Sequence, residues 1–208
     1  ELTLSSNHIP DIVNLSPLKN LKRLEARNCQ LSDISVLKKL TKIEQINLSS
    51  NEVKDISLLN NLKNLKILKL GNNQISQIDV LKNLVKLEHL ELQSNAIMHL
   101  DPIRKLTNLE VLNIGYNPIN NLSALSGLKD IKSLELTNLE VKNLDELKGL
   151  TNIRKLSISS VPCEGLDFIK NYKNLTDLSL RFEHLESIEF LRKSKTLFRL
   201  DLNHNNIS

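Results

Sequence analysis

The sequence predicts an α/β solenoid, with a curved parallel sheet on its concave face and short 3₁₀ or α turns on its convex face. Three observations predict it. Leucine or isoleucine recurs every 22 residues, at Leu2, Leu24, Ile46, Leu68, Leu90, Leu112, Leu134, Leu156, Leu178 and Leu200. Around these positions lies the frame Leu-x-Leu-x-x-Asn-x-Ile, as in Leu68-x-Leu70-x-x-Asn73-x-Ile75. Flanking apolar residues such as Leu62, Leu65, Ile78 and Leu81 fall at every third position. An unbroken period in the twenties marks a stacked-repeat architecture.

Each part of the unit has a physical reason. The Leu68-x-Leu70 step alternates inside and outside, as a short strand does. The three-residue spacing of the flanking leucines suits a tight return turn. One coil cannot hide its leucines from water. Stacked coils can, and their strands then pair in parallel. Ten such strands span about 45 Å at the usual strand spacing. The 208 residues need only one domain, 1–208, because repeats extend a single core, and 40% apolar content suffices for it. Asn7, Asn51, Asn73, Asn95, Asn117 and Asn205 close the strands. A side-chain amide donates and accepts, so it can satisfy backbone in the turns above and below. Cys29 holds the same place as a weaker substitute. Ser35, Ser57, Asp79, Asp101, Ser123, Asp145 and Asp167 share a column at the start of the return segment, where Ser and Asp are favoured N-caps. Pro102 suits the first helical position.

These residues resemble leucine-rich repeats of the 22-residue class, shared by bacterial internalins and the phosphatase regulator SDS22. Lys54-Asp55-Ile56-Ser57-Leu58-Leu59 and the tetrads Leu106-Thr107-Asn108-Leu109 and Leu150-Thr151-Asn152-Ile153 look like the internalin version. Only Ile188-Glu189-Phe190-Leu191 approaches the SDS22 version. The resemblance implies a non-enzymatic protein-binding domain of an internalin-like surface or secreted protein. An intracellular scaffold or phosphatase-regulatory subunit is the alternative, and a targeting domain of a larger enzyme is another. It also implies end caps that Glu1-Leu2-Thr3-Leu4 and Asn205-Asn206-Ile207-Ser208 do not supply, so the array reads as a fragment whose bare ends can associate end to end, otherwise a monomer.

The last third departs from the frame. The asparagine column reads Leu139, Val161 and Glu183 in successive units, and the column of Leu40, Leu62 and Leu84 becomes Tyr172 and Ser194. All four phenylalanines, Phe168, Phe182, Phe190 and Phe198, lie there, and no aromatic precedes Tyr116. The regular coils read as scaffold and the irregular ones as the place of recognition.

No catalytic pattern, phosphate loop or metal-ligand spacing occurs, and no cofactor is implied. The five histidines fall in different columns. Cys29 and Cys163 occupy inward positions about 29 Å apart at strand spacing, too far for a disulfide. Asn-x-Ser/Thr triplets such as Asn47-Leu48-Ser49 arise from the repeat itself. The net charge is +4, and Lys38, Lys82, Arg104, Lys148, Lys170 and Arg192 form a basic stripe on the convex side, flanked by Lys39, Lys105 and Lys193. Nucleic-acid binding would want interleaved aromatics or a recognisable module, and the chain has neither. No stretch has the length and apolarity of a membrane span. The concave face mixes charges and small residues and suits a protein partner. Aromatic and arginine side chains usually carry most interface energy. The candidate binding residues are therefore Tyr116, Arg181, Phe182 and Arg199, with His89, Glu91 and Glu135 in the middle of the face.

Overall fold

The computed structural model describes residues 1–9, 11–161, 165–192 and 194–208. Ten strands form one sheet in sequence order, every pair parallel. They are β1 Leu2–Thr3, β2 Arg23–Glu25, β3 Gln45–Asn47, β4 Ile67–Lys69, β5 His89–Glu91, β6 Val111–Asn113, β7 Ser133–Glu135, β8 Lys155–Ser159, β9 Asp177–Arg181 and β10 Arg199–Asp201. Register is one full repeat at each step, so Leu24 faces Ile46 and Ile46 faces Leu68. Each strand from β1 to β9 is followed by a 3₁₀ turn, such as Ser57–Asn61 or Asp79–Asn83.

The core is one continuous column. Leu68, Leu70, Ile75, Leu81, Leu84 and Leu87 of a single coil are all fully buried. They pack on the matching side chains of the coils on either side. Burial of a leucine is worth about 1.5–3 kcal/mol, so each coil is held mainly by its neighbours.

The asparagines behave as linkers, with one correction. Asn51 Oδ1 accepts the N–H groups of Cys29 and Leu31, each at 3.0 Å, and its Nδ2 donates to the carbonyls of Ala26 and Leu48, each at 2.8 Å. Three of these partners lie in the preceding coil and one in its own turn. The amide reaches back, not both ways, because the following coil carries its own asparagine. Cys29 keeps half of this pattern, with Sγ directed at the Leu4 carbonyl at 3.2 Å. It is fully buried. Cys163 lies outside the described residues, as does Lys193.

The cap column also needs correction. Ser35, Ser57 and Ser123 are the first residues of their turns, and their side chains do not cap them. Their N–H groups are instead accepted by the residue two earlier, Asp33, Asp55 and Asn121, each at 2.7 Å. The chain bends so tightly there that an Asx side chain reaches its own backbone two residues on. Two of the four acidic members of the predicted cap column pair with the basic stripe: Asp101 with Arg104 at 2.7 Å and Asp145 with Lys148 at 2.6 Å.

The irregular coils stay packed. Tyr172 fills the leucine column, is buried, and donates its hydroxyl to the Leu147 carbonyl at 2.6 Å. Burial raises its ionisation well above the ordinary phenol range. Phe168 meets it edge to face at 5.7 Å. Phe168 is thus fully in the core, while Phe190 is half-buried against it.

Candidate functional site

Strand residues on either side of the buried leucine point to the concave face. In register, the first row reads His89, Val111, Ser133, Lys155, Asp177 and Arg199 across β5 to β10. The second reads Lys69, Glu91, Asn113, Glu135, Ser157, Ser179 and Asp201 across β4 to β10.

The seven candidate residues fall into two groups. The first is central. Glu91 accepts from His89 Nε2 at 2.7 Å and from Lys69 at 3.0 Å. The His89 hydrogen bond, then Lys69, hold its carboxyl far below the usual range, at about 2, against the opposing effect of burial. Glu91 is therefore an internally neutralised charge. Glu135 differs. It accepts from Asn113 at 2.7 Å, and crowding on the concave floor together with the like charge of Glu91 raises its carboxyl. No ion pair reaches it among the described residues, so it is a carboxylate open to a cationic partner.

The second group is toward the C-terminus, and Glu135 borders both. Glu135, Lys155, Asp177 and Arg199 stand over Ser157 and Ser179 in a groove of about 370 Å³ on the concave face. Small serines leave the floor low and the charged side chains form its walls. The ion contacts here are loose: Arg199 to Asp177 at 3.9 Å and Arg181 to Asp201 at 3.7 Å. Such side chains re-aim at little cost.

Tyr116 and Phe182 are not on the strands. They stand on the turn that leaves each strand, at the rim of the face. One column takes a left-handed conformation in every coil: Ser6, Asn28, Ser50, Asn72, Ser94, Tyr116, Asn138, Ser160, Phe182 and His204, with φ between 52 and 62°, joined two residues on by Gln30 and His184 in their coils. Asparagine tolerates this region, whereas a bulky aromatic is an outlier there. Backbone strain is thus spent at two positions to display rings that are about half exposed, Tyr116 at 54% and Phe182 at 46%. Phe182 lies flat on His204 at 4.3 Å between centroids, and the Arg181 guanidinium sits 5.6 Å from its ring. His204 was not singled out from sequence. Its signal was present, since it follows Phe182 by one 22-residue repeat and so shares its column. Tyr116 is three coils from Phe182 and belongs to the central group.

The family model for Leucine Rich repeats (2 copies) matches residues 19–60, 41–83 and 85–129, more than half of the chain. The chain belongs to the leucine-rich repeat family. Among solved leucine-rich repeat structures, internalin C2 of Listeria monocytogenes is 31% identical, with 86% of this chain and 80% of that one covered and a TM-score of 0.81. Internalin inlF of the same organism is 29% identical, with 99% and 68% covered and a TM-score of 0.81. A leucine-rich repeat protein of Leptospira interrogans is 26% identical, with a TM-score of 0.87, and the chain spans 55% of its length. A search of curated sequences gives no match. The array is internalin-like, and the leucine-rich repeat fold is a scaffold for protein interaction. Among the described residues no helix is long and apolar enough to cross a membrane, and no His, Cys, Asp and Glu cluster is arranged to hold a metal ion.

Proposed function

We propose that this array holds a protein partner on its concave face, with the main contacts at the C-terminal coils, as the binding domain of an internalin-like bacterial surface or secreted protein. One observation carries the reading: the chain accepts left-handed backbone at Phe182 to present an exposed ring stacked on His204 beside Arg181. Strained backbone clusters at binding sites because the surrounding structure holds the side chain ready. The adjacent groove supplies the polar walls, and Glu135 supplies a carboxylate for a basic side chain of the partner. A pre-ordered aromatic and arginine patch beside a polar groove is the composition of an interface hot spot. The convex stripe is a poorer candidate. Arg104, Lys148 and Arg192 are each engaged by an acidic residue three positions earlier.

The test is affinity for a partner captured from host or envelope extract. Alanine at Arg181 or Phe182 is expected to weaken binding by about 1–3 kcal/mol each. Alanine at Lys38, Lys82 or Arg104 is expected to alter mainly the salt dependence of association. Loss of binding in the convex set with retention in the rim set would transfer the site to the basic stripe.

A further inference from the structure

Position 183 breaks the asparagine ladder differently from the two departures just before it. Leu139 and Val161 simply remove the polar group. Glu183 puts a carboxyl group there and buries it, with 9% of its surface accessible. One oxygen does the work of an asparagine oxygen. Oε1 accepts the Val161 N–H at 3.1 Å, just as Asn51 Oδ1 accepts the Cys29 N–H at 3.0 Å. In the asparagine coils the other end of the side chain is the amide nitrogen. At Asn73 and Asn205 that nitrogen donates to carbonyls 25 and 3 residues back. The same offsets from 183 give the carbonyls of Ile158 and Leu180. Among the described residues Oε2 is buried without a partner. A charged oxygen buried without a donor is costly. A protonated oxygen supplies the donor that the site is built to receive.

We propose that Glu183 is a neutral acid in the folded chain, its Oε2–H standing in for the asparagine amide, and that losing this proton loosens the coil that displays Arg181 and Phe182. Burial is the main cause that holds its carboxyl up, at about 7, against the lowering pull of the Val161 and Ser160 N–H groups. The titratable groups around it on each packed element are few. Asp167 and Glu189 on the neighbouring 3₁₀ turns, and His184 and Glu186 on its own coil, line the shallow depression beside it. On the strand side Arg181 faces Asp201. On the following coil Asn205 is neutral and accepts the Glu183 N–H, and His204 is engaged with Phe182. Among the described residues none forms an ion pair with Glu183.

The direction follows from linkage. An acid at about 7 in the closed coil and at 4.5 in the open one favours closure fully below pH 4.5. That advantage declines as pH rises to about 7 and is absent above it, a change of about 300-fold in the opening equilibrium. The effect on binding rests on the concave-rim reading; the proton itself is read on the free protein.

The experiment is amide hydrogen exchange on the full chain from pH 5 to 8, corrected for intrinsic rates, with peptides over 174–192 compared with peptides over 64–98. Opening of the first set is expected to rise more than tenfold in the natural chain and to stay flat in Glu183→Asn and Glu183→Gln, while the second set stays flat in all three. A flat natural profile, or a slope retained in both variants, overturns the proposal. A carbon-13 titration of the Glu183 carboxyl in the unmutated chain needs no variant, and a midpoint below pH 5 overturns it as well. Partner affinity that falls with pH in the natural chain but not in Glu183→Asn supports the regulatory step. Affinity indifferent to pH while the coil opens breaks the link to Phe182 and leaves the proton assignment standing.

Discussion

Asn73 accepts from the Val53 N–H at 3.0 Å and donates to the Leu48 and Leu70 carbonyls at 3.0 and 2.9 Å. Removing its amide leaves all three backbone groups short of a partner in a partly buried site. Asn73→Ala is therefore expected to cost about 1–3 kcal/mol, read as a lower urea midpoint with an unchanged slope. The opposite sign is expected at Tyr116, whose φ of 55° suits asparagine better than an aromatic. Tyr116→Asn is expected to stabilise the chain by about 1 kcal/mol in the same assay. These two residues also show what a sequence can reveal. The asparagine role was legible because an amide at the same place in six coils has one kind of vacancy to fill. The strain at Tyr116 was not, because a column shows which residues are equivalent and says nothing of the dihedral angle they share.

At the scale of the coil, five of the 3₁₀ turns start where an Asx side chain meets the backbone two residues on. Asp55 makes that contact to Ser57 at 2.7 Å. Asp79, one coil later, lies in the column that sequence marked as caps and makes no side-chain cap. Asp55→Ala is expected to cost about 1 kcal/mol, whereas Asp79→Ala is expected to stay within about 0.5 kcal/mol of the parent. Equal losses would restore the sequence-based assignment. The error has a physical source. Two polar columns two residues apart both satisfy capping preference, and only the tightness of the turn decides between them. Strand and turn positions, by contrast, were legible throughout, since the 22-residue period leaves one register in which the strand leucines of the inner coils face inward.

The whole molecule is quasi-one-dimensional, each coil touching only its neighbours, so one coil can change without redrawing the rest. That separates a regular array from the coils with Tyr172, Glu183 and Phe182, where packing is kept and surface chemistry changes. The candidate site was legible as columns, because Phe182 and His204, or Asp177 and Arg199, are one period apart. Which of seven residues act together was not, because curvature and side-chain reach put Glu135 with Arg199 and leave Tyr116 three coils from Phe182. The most direct measurement of the concave-rim claim is site-specific photo-crosslinking. A benzophenone side chain is placed singly at Phe182, at Arg199 and, on the convex turn, at Lys82, and the intact chain is exposed to the captured partner. Strong crosslinks from 182 and 199 with none from 82 are the predicted result. Crosslinks confined to 82 would contradict the account.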